Sequence, residues 1–438
     1  MELKKIIQKN SDLLNGFEWD FYFVEKITLK SSSKDFQIEE VTKSKEKGLS
    51  IRLKKDSKVG FSYVSNISED TVRKGIQKAK DILKISTPDE ALFFQKPVKT
   101  DLIPEAYDAF SSERLDITEK MLKAIEIERA IKTKDSRIKN VRDCTFSETV
   151  FSYSLINSKG LDISEKGTVY TAMASAVAED KGDSQIAWGF TQSRYLKELD
   201  INGVADEIVL SALSLLGGKP VPTSSLPVLF PPYSFSQMLE SFYQAFSGDF
   251  LIKGKSYFED KKDQKVASSL ISILDDGRLT HGIMTRNFDD EGSPTQRTQI
   301  IKEGVFKNFI HNTYTAKLSG EKSTGNGFKA TFKEPPQVYP SNFYLQKGTG
   351  IKVESKTFKV IQLLGLHTAN PVTGDFSVGA SGVLIDGKGF SQPVTGVTLS
   401  GNFFQMLKDI IQVGDDLRFY GNIGSPSVLV EKMVLGGV

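Results

Sequence analysis

The sequence has one cysteine, Cys144, in 438 residues. A single thiol cannot close an internal disulfide, so nothing ties the chain to an oxidising compartment. Cys144 sits in a strand-like run (Arg142-Asp143-Cys144-Thr145-Phe146) and reads as a small buried hydrophobe rather than a nucleophile. Histidine is almost as scarce: His281, His311 and His367 are the only three. None is within helical reach of another, and none has a second ligand type at zinc-site spacing. Long apolar runs are missing too. No window approaches the roughly 18 apolar residues that read as a membrane-crossing helix. The stretch Met1 to Lys9 alternates charge with apolar residues and lacks the apolar centre of a secretory signal. The expected location is the cytoplasm, with no membrane partner.

An excess of one charge is also absent. Lys and Arg total 57 against 55 Asp and Glu, a formal net charge of +2, with the signs interleaved along the chain. A surface that grips phosphate backbones concentrates its basic residues, so direct nucleic-acid contact is not expected. No Gly-x-Ser-x-Gly elbow occurs. Gly320 to Gly327 (GEKSTGNG) holds a Lys-Ser pair but not the Gly-x-x-x-x-Gly-Lys of a phosphate-binding loop.

What is present is an ordinary globular composition, 39% hydrophobic and 26% charged, with 29 phenylalanines to build cores. The length calls for two domains. Residues 2–14 read as an amphipathic helix. Asp20–Leu29, Phe36–Lys43, Gly48–Lys54 and Val59–Val64 read as strands. Ser68 is a good N-cap for a helix with Val72, Ile76, Ala79 and Leu83 on its apolar side. A second helix is expected over Ile117–Lys132. Long strands follow from Ile138 to Arg194, with turns at Asn157–Gly160 and Glu179–Asp183. A helix over Gly203–Leu216 then stops at Gly217-Gly218-Lys219-Pro220. The rest reads as a strand at Pro227–Phe230, a helix at Ser234–Phe246, a β-rich stretch beyond Ala267 and a helix at Phe403–Ile411. The expected fold class is α+β. Residues 1–218 would form an N-terminal domain of mixed sheet with helices. Residues 219–438 would form a C-terminal, largely antiparallel β domain with few helices.

Three polar, glycine-dense segments stand out in the second half: Asn287–Thr295, with Asp289; His311–Ala316, with Asn312 and Tyr314; and Ala369–Gly379, with Asn370 and Asp375. Such residues make tight turns and Asx hydrogen bonds. The less favoured alternative is a polar groove that receives a peptide as an added strand, or docks a partner.

These segments carry a family resemblance. Phe288–Gly327, Ala369–Gly387 and Pro393–Phe419 with the GNIGSPSVLVEKMVLGG that follows resemble the PmbA branch, also called TldE, of the TldD/PmbA family. The match is close over most of residues 225–437 and loose in the first half. The resemblance implies a relation to zinc metallopeptidases. In the catalytic TldD branch, zinc is held by a helix carrying His-Glu-x-x-x-His and by a cysteine near the C-terminus. TldD/TldE pairs are associated with maturation of small peptides and degradation of an antitoxin, and with the label "modulator of DNA gyrase". The matching helix here runs from Leu239 to Asp249. Leu239 stands at the first histidine, Gln244 at the second, and only Glu240 remains; Gly421–Ser427 has no cysteine. Leucine offers zinc no lone pair, and a glutamine amide is a poor ligand. No cofactor is expected in this chain, and zinc only in a catalytic partner.

The resemblance therefore implies a non-catalytic, zinc-free subunit of a TldD-type metalloprotease complex acting on small or unfolded peptides, and a homodimer when alone. A stand-alone peptide-binding homodimer and a hydrolase with an unrecognised site, around Asp289, Asn370 and Asp375, are the alternatives.

Overall fold

The chain's architecture comes from a computed structural model that describes residues 2–437. The first half is built on one six-stranded sheet: β1 (Glu18–Lys34), β2 (Gln37–Lys55), β3 (Lys58–Val64), β4 (Ile138–Asn157), β5 (Asp162–Asp180) and β6 (Asp183–Ser193), in the order β3-β2-β1-β4-β5-β6. Every pairing in it is antiparallel. The side chains of β2 alternate as the pleat demands. Leu49, Ile51 and Leu53 pack with Val72, Ile76 and Ala79 of helix α1 (Glu69–Ile85). Ser50 points the other way, and its Oγ donates to the Phe332 carbonyl at 2.6 Å, so the opposite face of the sheet meets the second half of the chain. Helix α1 starts where Ser68 and Thr71 cap each other: Thr71 N–H donates to Ser68 Oγ at 3.2 Å and Ser68 N–H to Thr71 Oγ1 at 3.0 Å. Helices α2 (Lys123–Lys132) and α3 (Ile201–Ser214) cover β4 and β5, where Ala172, Ala174 and Ala176 let them approach closely.

The second half is a barrel. Its strands are β7 (Ser224–Phe230), β8 (Thr357–Leu364), β9 (Asp375–Ile385), β10 (Ser391–Asn402) and β11 (Val428–Gly436), ordered β10-β9-β8-β7-β11. The ring closes because Thr398–Ser400 of β10 pair with Val434–Gly436 of β11. Closure leaves few free edges, one of them where β8 runs past β7 beyond Lys359. The β7–β8 pair is parallel. A further six-stranded sheet of short strands holds, in order, Val305–Phe306, Arg297–Lys302, Ile273–Asp276, Phe343–Leu345, Ile423–Ser425 and Arg418–Tyr420. Helix α4 (Pro232–Phe242) lies against the barrel and buries Phe235, Met238, Leu239 and Phe242 completely. The Phe242 ring lies flat on Phe403 at 4.4 Å between centroids and 5° between planes, with Phe376 and Phe404 edge-on.

This is the two-domain α+β architecture expected, with few helices in its β-rich second half. Several local expectations need correction. The runs at Phe36–Lys43 and Gly48–Lys54 are parts of one strand, because β1 supports β2 all the way from Gln37 to Lys54. The N-terminal helix is two pieces, Glu2–Lys9 and Ser11–Leu14, broken at the buried Asn10, whose Nδ2 donates to the Ile6 carbonyl at 2.8 Å. The helix expected over Ile117–Lys132 breaks at Leu122. The helix over Ser234–Phe246 tightens to a 3-10 turn at Tyr243–Phe246. The last helix stops at Lys408, and Ile410 begins a strand on β11.

Replacing Phe242 by Ala is expected to cost about 3–5 kcal/mol, the range for emptying a buried aromatic site. A fall in the thermal unfolding midpoint checks this; an unchanged midpoint would show that the stack does not hold the helix.

Candidate functional site

The positions that the family resemblance sets against a zinc motif, Leu239, Glu240 and Gln244, lie on α4 and the turn that follows it. The rotation of α4 is set by the apolar residues it buries, and this decides what positions 239, 240 and 244 offer. Leu239 is fully buried in the barrel core. Glu240 and Gln244 are exposed, the first in the last turn of α4 and the second in the 3-10 turn after it. Crowding by the surrounding protein raises the Glu240 carboxyl above its ordinary range, and among the described residues no lysine or arginine offsets this. Tyr243 and Tyr339 meet edge to face beside it, 5.6 Å between centroids. The loop Gly421–Ser427 supplies no cysteine. Among the described residues, no group of three or more His, Cys, Asp or Glu side chains is arranged to hold a metal ion. The residues at this position do not fit zinc: one has no donor atom and points into the core.

The first two polar segments come together at the junction of the two halves, and they are buried. Asp289 is fully enclosed. Its carboxylate accepts from the N–H groups of Glu291 (3.0 Å), Ser293 (2.9 Å) and Gly327 (2.9 Å). Glu291 Oε2 accepts from Thr313 N–H at 2.7 Å, which ties the segment to the helix Thr313–Ser319. Asn312 caps that helix through Thr315 N–H at 2.9 Å. Tyr314 is half-buried; burial first, and the Asp89 carboxylate second, raise its hydroxyl. Burial raises both the Asp289 and Glu291 carboxyls, and the Glu291 charge adds to the rise at Asp289.

Around them lies a network that joins the halves. Arg52 grips Asp20 through Nε at 2.9 and 3.0 Å. Arg286 bonds Asp290 at 2.6 Å and lies over the Tyr153 ring at 3.8 Å. Asn287 donates its N–H to Glu165 at 2.8 Å. Lys329 Nζ reaches Ser50 Oγ at 3.2 Å between the rings of Tyr22 and Phe61, and burial pulls it down to about 8. Nearby, the buried Asp275 accepts at Oδ2 from Asn326 and Ser341, both at 2.7 Å, while its Oδ1 has no partner. Burial raises the Asp275 carboxyl to about 6.

The third segment is elsewhere. Asn370 and Asp375 are exposed and shape one turn: Asn370 Oδ1 accepts from Val372 N–H at 2.9 Å, and Asn402 Nδ2 donates to Asp375 Oδ1 at 2.9 Å. This turn adjoins Phe403 and Phe404, so it sits beside the aromatic stack under α4. The structure thus groups Asp289, Asn312 and Glu291 at the junction, and Asn370 and Asp375 near the motif helix.

Sequence reasoning missed a cavity of about 530 Å³ between the halves, beside the start of α4. Trp188, Leu210, Tyr233 and Gln237 line it with Lys359–Leu364 of β8. Strand β7 pairs with β8 only at Phe358 and Lys359, so the rest of that β8 edge faces the cavity without a strand partner. Trp188 is half-exposed and meets Tyr233 edge to face at 5.8 Å. The available signal was the aromatic spacing in Tyr233 to Phe246, which reads equally well as core.

The fold is a two-domain α+β architecture, and no cluster of metal-ligating side chains is present among the described residues. The chain belongs to the PmbA/TldD family: it matches the PmbA/TldA metallopeptidase domain 1 over residues 19–83, the central domain over 110–216 and the C-terminal domain over 223–437. It is 26% identical over 439 residues to an uncharacterized protein of Methanocaldococcus jannaschii, covering 99% of this chain and 100% of that one. It is 25% identical over 426 residues to the metalloprotease PmbA of Escherichia coli O157:H7, covering 94% and 91%. The crystal structure of TldE from Thermococcus kodakarensis shares the fold, with a TM-score of 0.87, 22% identity and full coverage of both chains. A Thermotoga maritima structure, described as a candidate modulator of a DNA gyrase, also has a TM-score of 0.87, at 25% identity over 99% of each chain.

A pH test follows from Asp275. Its folded-state carboxyl titrates near 6, above the ordinary 3.8, so the native chain holds a proton that the unfolded chain releases. Stability is therefore expected to fall as pH rises from about 4 to about 6 and then level, by on the order of 3 kcal/mol for this group. Asp275→Asn is expected to remove that slope. Thermal midpoints of both proteins from pH 4 to 8 check it; parallel curves would refute it.

Proposed function

We propose that this chain is the non-catalytic subunit of a cytoplasmic TldD-type metalloprotease complex that acts on small or unfolded peptides. The observation that carries the reading is α4: it stands at the family's zinc-motif position, yet it turns Leu239 into the core and leaves only Glu240 and Gln244 outside. Hydrolysis by a metal-activated water needs a ligand set that positions the metal. Glu240 alone has no such water to act on.

The neighbourhood of α4 supports a role in handling peptide. The cavity between the halves has an unpaired strand edge along one wall and the half-exposed Trp188 on another. An extended peptide gains main-chain hydrogen bonds from such an edge, with side-chain pockets between the pleats. Asn370 and Asp375 shape an exposed turn near the same helix and are proposed as peptide or partner contacts. Asp289, Asn312 and Tyr314 act through the junction that holds the two halves together. The chain divides at residues 218 and 219 in this reading. The second half forms the subunit interface, with a TldD-type partner or, in its absence, with a second copy, since related folds can occupy both sides of a two-fold axis. No helix among the described residues is long and apolar enough to cross a membrane.

The test is peptide digestion with and without chelator, by this chain alone, by a TldD-type subunit alone, by both, and by both with Asn370→Ala/Asp375→Ala. The expected outcome is no cleavage by this chain, chelator-sensitive cleavage that rises when the two are mixed, and a smaller rise with the doubly substituted chain, compared at a temperature well below its own thermal midpoint because both side chains also hold the turn. Chelator-sensitive cleavage by this chain alone, or a partner indifferent to it, would defeat the reading.

A further inference from the structure

Resting on the reading that this chain handles peptide, we propose that Glu240 and the tyrosines beside it form a receptor for a basic side chain. The guanidinium of an arginine, or the ammonium of a lysine, in a bound peptide docks on the Glu240 carboxylate against the Tyr243 and Tyr339 rings.

Three independent features point to a cation. The first is the missing counter-charge. Glu240 is exposed on the outer face of α4, and burial by its surroundings is the sole influence on its carboxyl. The lysine that follows the helix, Lys253, is taken by Asp249 at 2.7 Å. The second is the end of the helix. Glu240 lies in the last turn of α4, and that turn holds no basic residue. The helix macrodipole is negative there and favours a cation. A carboxylate at this end strengthens the negative field instead of neutralising it.

The third is aromatic. The Glu240 charge is felt by the hydroxyls of Tyr233, Tyr243 and Tyr339, raising each after burial has done so. Tyr243, three residues on, shares the side of the helix with Glu240, and Tyr339 packs on Tyr243. Tyr243 and Tyr339 are nearly perpendicular, at 73°, and Tyr339 is 37% exposed. Two rings at right angles beside a carboxylate offer a cation a π face and a charge partner together. The support is rigid, because Phe235, Met238, Leu239 and Phe242 anchor the same helix in the core.

Fluorescence anisotropy on the full chain tests this with two labelled five-residue peptides. They differ only at the centre, which is arginine in one and its neutral isostere citrulline in the other. The arginine peptide is expected to bind roughly ten-fold more tightly, as suits a partly desolvated cation–π and charge contact. Glu240→Gln, an exposed and nearly isosteric change, is expected to bring the two peptides within about two-fold of each other. Tyr339→Leu is expected to weaken the arginine peptide more than the citrulline one. Equal binding of both peptides to the unaltered chain overturns the docking and leaves the peptide-handling reading standing. No binding of either overturns both. An arginine preference that survives Glu240→Gln, in a chain that no longer associates with its TldD-type partner, assigns Glu240 to the subunit interface and overturns the proposal.

Discussion

The flat contact between Phe242 and Phe403 fixes the rotation of helix α4, and the candidate site depends on that rotation. The two rings are parallel to within 5° and 4.4 Å apart, with Phe376 and Phe404 closing the sides. Successive residues of an α-helix turn by about 100°. With Phe242 facing the barrel, Leu239, three residues earlier, shares its face, and Glu240 is swung outward. Position 239 serves the core, where a leucine gains burial energy and a metal ligand would lose its access.

The junction between the halves follows a different logic. It buries Asp20, Asp289, Asp290 and Glu291 on the acidic side, with Arg52 and Arg286 among the bases. Charges taken out of water are tolerable only when paired and fully hydrogen-bonded. Each ion pair lies within one half, Arg52 with Asp20 and Arg286 with Asp290, while hydrogen bonds cross the junction: Ser50 of the first sheet bonds the Phe332 carbonyl of the second half, Glu165 receives Asn287 N–H, and Lys329 reaches back to Ser50. The aromatic rings of Tyr22, Tyr153 and Phe61 cover the cations. Most of these bonds are lost together if the halves part, so the network favours one relative placement rather than many.

The sequence announced what local chemistry decides. The cap at Ser68, the apolar stripe of α1, the turns at Asn157–Gly160 and Glu179–Asp183 and the α+β class were legible because spacing and turn residues speak for them. Strand β2 was misread as two pieces because the stretch Glu39 to Lys47 is charged and exposed; only its pairing with β1 keeps it extended. Barrel closure was illegible, since it rests on a three-residue pairing between β10 and β11 across more than thirty positions of sequence. Asp289 illustrates the site's version of the problem. An acidic turn residue looks alike in a sequence whether it faces solvent or folds inward to collect backbone N–H groups.

The contrast between Asp289 and Glu240 separates scaffold from surface. Asp289 is enclosed, and three backbone N–H groups hold its carboxyl in place although burial and Glu291 raise it, so the side chain is used by the fold. Glu240 is crowded enough for desolvation to raise its carboxyl, stands at the negative end of a helix, and receives no cation from the chain. A glutamine or serine there would spare the helix both costs, since the side chain anchors nothing in the core. The fold gives no return for the carboxylate. An exposed carboxylate at the negative end of a helix, with no basic partner among the described residues, suits the cationic contact proposed for it.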